Sequence, residues 1–349
     1  MLLLNETLKR IGQLDASAMT ECQKRMDQLV KPIGSLGRLE TLAIQLAGIT
    51  GEIFPDLSNR TVVVMAADHG VCEEGVAAAP QEVTKIQTKN IINGVSGLGP
   101  LCRLSHADLL VVDIGIKGDL SHPSLITQKV RHGTDNLSKG PAMTYDEAVQ
   151  AIEVGIHITQ TEIDKGRRLI ATGEMGIGNT TPSTAILSVL GDFPPAQITG
   201  LGANLPEDKR HHKAQVIQRS IQINQPNNAD PLDVLSKVGG LEIAGMVGII
   251  LGCAANRVPC VIDGYISTVS ALLACQLNPA AKDYLIPSHY SVEKGAATAS
   301  KLLGLRPMLD LEMRLGEGSG AALAFCLIDA AVKVCQEMIT FEESGIQAV

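Results

Sequence analysis

The chain has 349 residues, enough for one large hydrophobic core with a smaller appended unit. Hydrophobic residues make up 45% of it and charged residues 19%, a balance typical of a globular protein and not of a disordered one. The net charge is −8, there is no Trp, and there are only four Tyr and four Phe. Few side chains can therefore stack on bases or attract a phosphate backbone, and we predict no nucleic-acid partner.

The eight cysteines are scattered along the chain, and none forms a Cys-x-x-Cys pair. This arrangement predicts reduced thiols that fill the core, and it favours a cytoplasmic location. The N-terminus lacks the basic and apolar regions of a signal peptide. No uninterrupted run of about 20 apolar residues is present, so we expect no membrane association.

Residues 1–50 carry apolar side chains at helical spacing and predict helices. From residue 60 onward, short β-branched apolar runs alternate with helix-like segments. A parallel sheet that is covered by helices on both faces produces this alternation. The six predicted strands are 61–67, 109–114, 169–172, 198–202, 259–263 and 284–287.

Helical patterns return over residues 238–255 and 321–338. The first of these has no charged residue after Glu242 until Arg257, so we expect it to be buried on all sides. The fold class predicted is α/β, a parallel, mostly six-stranded, Rossmann-like sheet covered by helices. The predicted domains are an α/β catalytic domain over 56–324 and a small helical domain formed by 1–55 and 325–349.

Polar or glycine-rich segments follow all six predicted strands. Ligands of open α/β sheets bind outside the carboxyl ends of the strands, so we predict a substrate cleft at this edge. Loops after strands are polar in most proteins, which accounts for part of the pattern. The side chains concerned include Asp68, Asp113, Glu174, Asn204, Asp263 and His289.

Residues 314–325 are the most distinctive stretch, with glycines at 316, 318 and 320 around a single carboxylate, Glu317. Glycines at this density allow left-handed backbone and close approach to a ligand, and functional residues concentrate on such loops. Glu317 is the only nearby group that can transfer a proton, so it is the candidate general base, desolvated by apolar neighbours. The alternative is a glutamate that the dipole of the following helix stabilises.

Residues 173–182, Gly-Glu-Met-Gly-Ile-Gly-Asn-Thr-Thr-Pro, are the best candidate for a phosphate site. Free backbone amides at a strand-to-helix turn bind anions with the help of the helix dipole. The segment matches neither a P-loop nor a dinucleotide motif, and a merely tight turn is an equally good interpretation. The predicted phosphate contacts are Gly176, Ile177, Gly178, Asn179 and Thr180, with Gly202, Asn204 and the charge of Lys213 as further contributors.

The adjacent Asp68 and His69 point in different directions and have no partner set with metal-ligand spacing. No Gly-x-Ser-x-Gly elbow is present, and no Cys has a recognisable His partner. We therefore expect no metal, no cofactor and no nucleophilic acyl transfer.

Seven segments, in the right order along essentially the whole chain, resemble the nicotinate-nucleotide–dimethylbenzimidazole phosphoribosyltransferase family. They are LVKPIGSLGRLE (29–40), ADHGV (67–71), GEMGIGNTTP (173–182), GANLP (202–206), DVLSKVGG (233–240), IPSH (286–289) and RLGEGSGA (314–321). The resemblance implies a homodimer that transfers phosphoribose from nicotinate mononucleotide to 5,6-dimethylbenzimidazole. It also implies that α-ribazole 5′-phosphate forms with inversion at the anomeric carbon.

The resemblance further implies roles for individual residues. Glu317 is expected to be the general base, and Glu174, near the ribose, to stabilise oxocarbenium-like charge. Asp263 and Ser291 are expected to bind the substrate. The base pocket is predicted to contain Ala79, Gln87, Met175 and Leu315.

Ala79 departs from the family pattern, where a serine is frequent, and this substitution makes the pocket wall more apolar. Transfer to another base, such as a purine, another benzimidazole or a phenol, therefore stays open. A non-catalytic paralogue that binds nucleotide is the second alternative, against which the intact Glu317 and the intact glycine-rich turn both argue.

Overall fold

The structure, a computed structural model, describes residues 1–346. Its strands are β1 (Arg60–Ala67), β2 (Asp108–Gly115), β3 (Leu125–Thr127), β4 (Leu169–Met175), β5 (Cys260–Ile262) and β6 (Leu285–Pro287). Its helices are α1 (Leu2–Arg10), α2 (Ala16–Gln28), α3 (Arg38–Thr50), α4 (Glu82–Ile92), α5 (Leu98–Leu104), α6 (Tyr145–Asp164), α7 (Thr180–Gly191), α8 (Pro195–Ile198), α9 (Arg210–Asn224), α10 (Pro231–Val238), α11 (Leu241–Ala255), α12 (Tyr265–Leu277), α13 (Ala296–Leu303), α14 (Ser319–Glu337) and α15 (Phe341–Ser344). Short 3-10 helices span Gly70–Glu74, Glu207–Lys209 and Pro279–Tyr284.

The six strands form one parallel sheet in the order β3-β2-β1-β4-β5-β6. The order reverses between β1 and β4, which pair from Arg60 with Leu169 to Ala66 with Met175. At such a switch point the following segments leave on opposite faces and open a crevice at the carboxyl ends of the strands. The α/β class and the parallel sheet that the sequence predicts are confirmed.

One predicted strand is wrong, and one strand was missed. Residues 198–202 begin at the last residue of α8 and continue into a loop. Pro195 occupies the first turn of α8, where its fixed φ favours a helix, so the chain turns instead of extending. The missed strand is β3, which has only three residues and lies at the edge of the sheet beside β2. Its pairing, and not its composition, makes it a strand.

Helix α11 is buried at every residue, as its uncharged sequence predicts. It packs closely on α6, because glycines remove the side chains from the crossing: a Cβ on Gly155 would collide with the carbonyl oxygen of Gly245, and one on Gly248 would collide with that of Ile152. This helix pair covers one face of the sheet and forms the centre of the larger core.

Helices from both chain ends lie together: α14 contacts α2 and α3, as well as α5 and β4. In contrast, α1 packs against α6 and α11. The predicted boundaries at 55 and 325 stay a prediction, and residues 347–349 of the predicted small domain lie outside the described residues. Among the described helices, α14 alone has the length and apolar composition that a membrane span would need. Half of its most apolar window is buried inside the protein, as in a core helix.

Candidate active site

The loop before α14 carries Glu317 in a conformation that L-residues adopt rarely. Gly316, Glu317 and Gly318 have successive φ values of 83°, 64° and 95°, all in the left-handed region. The loop lies directly on β4, where a Cβ on Gly173 would collide with the carbonyl oxygen of Glu317. The glycines predicted to shape this loop therefore provide both its backbone conformation and its close approach to the sheet.

The carboxylate of Glu317 is held inside the protein, with 4% of the residue exposed. Gln87 of α4 donates from Nε2 to its Oε1 at 2.5 Å. The backbone N–H of Leu98, at the start of α5, donates to its Oε2 over 3.4 Å. Both oxygens therefore have donors, and the carboxylate has a defined orientation with little exposure to solvent.

Glu174 lies beside this loop at the carboxyl end of β4. Its Oε1 accepts the backbone N–H of Glu317 at 3.4 Å, and its Oε2 accepts from the side chain of Asn179. Burial raises its pKa to about 8, and the negative charges of Glu242 and Asp263 add to the effect, while the hydrogen bond from Asn179 opposes it. Glu174 is consequently protonated for the most part at neutral pH.

This shift predicts a specific dependence of stability on pH. The carboxyl of Glu174 titrates near 4.5 when unfolded and near 8 when folded, so between these values the folded state binds more protons. The free energy of unfolding must then fall as pH rises through that window, by up to about 1.4 kcal/mol per pH unit. We expect Glu174→Gln to remove this contribution, measured by guanidinium unfolding at several pH values and one protein concentration.

The control for this measurement is Glu21→Gln, which changes an exposed glutamate of α2 and should leave the pH dependence unaltered. A wild-type profile that runs parallel to that of Glu174→Gln from pH 4.5 to 8 would contradict the assignment of a raised pKa to Glu174.

The turn between β4 and α7, predicted as the phosphate site, has fewer free amides than predicted. The N–H of Ile177 donates to Thr84 Oγ1 at 3.0 Å, and that of Asn179 donates to the carbonyl of Gly176. Within the described part of the chain, the N–H of Gly178 has no hydrogen-bond acceptor. The N–H groups of Gly176 and Thr180 likewise have no acceptor among the described residues, so this turn can donate from Gly176, Gly178 and Thr180.

Lys213 of α9 supplies the positive charge at the same turn, as the sequence predicts. Only 1% of the residue is exposed, and its Nζ lies 2.6 Å from Thr180 Oγ1. Burial lowers its pKa to about 8, although the carboxylate of Glu293 opposes the shift. Glu293 also accepts the N–H of Gly202 at 3.2 Å, so an incoming phosphate would compete with Glu293 for that amide.

A cavity of about 300 Å³ lies at the switch point of the sheet. Glu317, Glu174 and most of the residues predicted to contact the nucleotide or the acceptor base line this cavity. The predicted substrate contacts in its wall are Gly176, Ile177, Asn179, Thr180, Gly202, Asp263 and Ser291. The predicted base contacts in its wall are Ala79, Gln87, Met175 and Leu315.

Three predicted residues lie outside this wall. Gly178 and Lys213 line a small adjoining cavity of about 50 Å³. Asn204 faces a neighbouring hollow of about 480 Å³, where its Oδ1 accepts from Arg314 Nη2 at 2.9 Å. The hollow and the main cavity share Gly202, Glu293 and Arg314.

Several lining residues were not predicted from the sequence, notably Val83, Tyr265, Glu293 and Arg314. Arg314 opens the glycine-rich stretch and could have been included by position alone. No local signal distinguishes Glu293, because its role depends on contact with a loop that lies 91 residues earlier in the chain.

The side chain of His69 is fully buried and forms a pair with Glu242, with 2.7 Å between His69 Nε2 and Glu242 Oε1. Burial lowers the pKa of His69, but the carboxylates of Glu242 and Asp68 outweigh it, so the net shift is upward. The pair lies beneath the turn between β4 and α7: a Cβ on Gly176 would approach His69 Nε2 to 3.1 Å. Among residues 1–346, no three His, Cys, Asp or Glu side chains are grouped to hold a metal ion.

A doubly wound sheet with a carboxylate-lined cavity at its switch point is the arrangement of an enzyme that acts on a small molecule. A family profile described as phosphoribosyltransferase matches residues 11–346. The chain therefore belongs to this phosphoribosyltransferase family and is an enzyme.

Individual relatives are similar in sequence to this chain over nearly their whole length. The chain is 53% identical to the nicotinate-nucleotide–dimethylbenzimidazole phosphoribosyltransferase of Alkaliphilus metalliredigens, over 98% of this chain and 99% of that protein. It is 49% identical to the enzyme of the same name from Halalkalibacterium halodurans, over 98% and 96%. The crystal structure of the enzyme of that name from Thermus thermophilus superposes with a TM-score of 0.91, at 40% identity, over 96% of this chain and 100% of that one.

Proposed function

We propose that this enzyme transfers phosphoribose from nicotinate mononucleotide to 5,6-dimethylbenzimidazole, giving α-ribazole 5′-phosphate and nicotinate. The names of the relatives support the two substrates. The observation that carries the mechanism is the buried carboxylate of Glu317, which lines the same cavity as the phosphate turn.

The chemistry needs one proton acceptor at the site of attack. The ring nitrogen of nicotinate is cationic in the mononucleotide, so it leaves with the bonding electrons as neutral nitrogen without an acid. The attacking ring nitrogen of dimethylbenzimidazole forms the new bond to the anomeric carbon, and its other ring N–H loses its proton to Glu317. Attack from the face opposite to the leaving group inverts the carbon and gives the α-linkage. Base assistance of this kind contributes about 10²- to 10⁴-fold.

Glu174 has a different role from the one expected of a carboxylate. Its pKa of about 8 keeps it protonated for the most part at pH 7, so it offers the sugar a hydrogen bond more than a negative charge. Its hydrogen bonds with Asn179 and with the N–H of Glu317 connect the phosphate turn to the general-base loop. We infer that Glu174 orients the ribose between the two.

The phosphate of the nucleotide would bind where a free N–H and a buried cation coincide. Gly178 and Lys213 line the same small cavity, and Thr180 Oγ1 lies against the lysine. Charge-assisted hydrogen bonds in such a water-excluded position are stronger than those on a surface. These contacts would anchor the substrate by its phosphate and direct its anomeric carbon toward the main cavity.

The base would lie against an apolar wall that includes Ala79, Val83, Met175 and Leu315. Burial of the two methyl groups there should give dimethylbenzimidazole about a tenfold or greater advantage in kcat/KM over benzimidazole. We expect Ala79→Ser to reduce this advantage, because a hydroxyl makes the wall more polar. Competition between the two bases measures the ratio, with Ala16→Ser, an exposed alanine of α2, as the matched control. An unchanged ratio in Ala79→Ser would remove Ala79 from the base pocket.

The test of the function is incubation of purified protein with nicotinate mononucleotide and single candidate bases, with released nicotinate as the readout. We expect release with dimethylbenzimidazole and formation of the α-linked product. Release with a purine or a phenol, but not with any benzimidazole, would assign the enzyme to another acceptor. If the protein binds the nucleotide but releases nicotinate with none of the bases, it is a nucleotide-binding paralogue without catalytic activity.

We also infer a cytoplasmic homodimer. The eight cysteines are all free thiols, which suits a reducing compartment. Leu315 and Val292, at the mouths of the main cavity and of the neighbouring hollow, are 56% and 51% exposed. A second copy that covers these apolar side chains would close the site from water. Sedimentation equilibrium measures the mass: a monomer at micromolar concentration would contradict the dimer.

A further inference from the structure

The loop of Glu317 needs an anchor that its own sequence does not provide. An L-residue in the left-handed region costs about 1–2 kcal/mol, and Glu317 has a φ of 64°. Helix α14 begins next to it, yet its N-cap residue, Gly318, has no side chain to accept the free N–H groups of the first turn. Without external acceptors, this loop would be free to take other conformations.

Asp263 provides these acceptors from the end of β5. Its Oδ1 accepts the N–H groups of Gly320 at 2.8 Å and Ala321 at 3.0 Å, and its Oδ2 accepts that of Gly318 at 3.2 Å. Only 3% of the residue is exposed. A carboxylate at the N-terminus of a 19-residue helix also interacts favourably with the helix dipole.

We propose that Asp263 is a positioning residue, which holds Glu317 at the reacting atoms by capping α14 from the neighbouring strand. This rests on the proposed role of Glu317 as general base. It differs from substrate binding, the role that we expected for Asp263, because both carboxylate oxygens already accept from the backbone of the catalytic loop. A group that can become cationic, His289, is close to it: its Nδ1 lies 3.7 Å from Oδ1 and 3.0 Å from Ser288 Oγ.

The direct test is Asp263→Asn, which keeps the shape but turns an amide NH2 toward one of the backbone donors. A displacement of the order of 1 Å in a reacting group can cost about 100-fold in rate. We therefore expect kcat to fall about 10- to 100-fold while KM for nicotinate mononucleotide stays within about threefold. In a Glu317→Gln background, measured by single turnover, the same substitution should cost nothing further, because its effect passes through Glu317.

The matched control is Asp230→Asn. Asp230 caps α10 with the same chemistry, since its Oδ1 accepts the N–H groups of Leu232 at 3.0 Å and Asp233 at 3.2 Å, but it contributes nothing to the cavity. Loss of this cap should lower stability and leave kcat unchanged. A purely structural role of Asp263 would give the same result as this control.

Three outcomes would overturn the proposal: an unchanged kcat and KM in Asp263→Asn, a raised KM with normal kcat, or an equal loss of rate in both backgrounds. If the variant does not fold, hydrogen exchange of the wild-type amides of Gly318, Gly320 and Ala321 decides. Slow exchange supports the cap, and rapid exchange rejects it. If the wild type releases no nicotinate, the proposed function fails, and the exchange result still decides whether Asp263 holds the loop.

Discussion

Glu317→Gln is expected to lower kcat about 10²- to 10⁴-fold and to leave the affinity for nicotinate mononucleotide nearly unchanged. The amide keeps the size of the side chain and its contact with Gln87, but it cannot take a proton at neutral pH. Nicotinate release under saturating substrates measures kcat, and equilibrium titration measures the affinity. The two readouts separate loss of the base from loss of the site.

The control is Glu312→Gln, because Glu312 lies in the same segment and is exposed. Turnover of this variant should equal that of the wild type. Near-normal turnover of Glu317→Gln itself would refute the base assignment, and so would a rate that recovers fully at alkaline pH without the carboxylate. A large loss of nucleotide affinity instead would place Glu317 in substrate binding.

Lys213→Met is expected to weaken the binding of nicotinate mononucleotide about 10- to 100-fold at pH 7. A charge-assisted hydrogen bond to a buried group contributes about 1.5–3 kcal/mol, which converts to that range. Methionine fills the same volume without charge, so the effect should appear in the dissociation constant. The measurement is calorimetric titration with the nucleotide, in the absence of the base.

The pH profile gives Lys213 a second signature. Its pKa near 8 in the free protein means that the cation is present below pH 8 and is lost above it. Because phosphate favours the protonated form, the wild-type affinity should fall above pH 8 by up to about tenfold per pH unit, while Lys213→Met should show no such fall. Lys209→Met, an exposed lysine at the start of the same region, is the matched control. A flat wild-type profile from pH 7 to 9.5 would exclude Lys213 as the phosphate cation.

The strand predictions show where sequence patterns are enough to locate a strand. Strands β1, β2, β4, β5 and β6 were located because each contains an apolar run that is mostly buried in the sheet. The edge strand β3 is as short as β5 and β6 but is partly exposed, so its three residues lack the buried apolar surroundings that mark the other strands. Residues 198–202 resemble a strand but follow the proline-initiated turn of α8, and no partner strand lies beside them in the described part of the chain.

The residues of the site likewise fall into those that a local sequence pattern identifies and those that only tertiary contacts bring together. Glu317 was identified from a single loop, because the density of glycines around one carboxylate is a local property of the chain. The pairing of His69 with Glu242 joins residues 173 positions apart, and no spacing in the sequence predicts it. Asp263 was identified as a polar strand end, but its three backbone donors could be recognised only once α14 lay against β5.

The sequence by itself determined the α/β class, the glycine-rich turn and the glycine-rich loop, since backbone preference and hydrophobic periodicity are properties of neighbouring residues. Tertiary structure decided which strand ends meet at the switch point, which amides keep a free N–H, and that Glu174 holds its proton at pH 7. These features depend on burial and on contacts between distant segments. A side chain is removed from water and placed in the field of other charges only once the chain is folded.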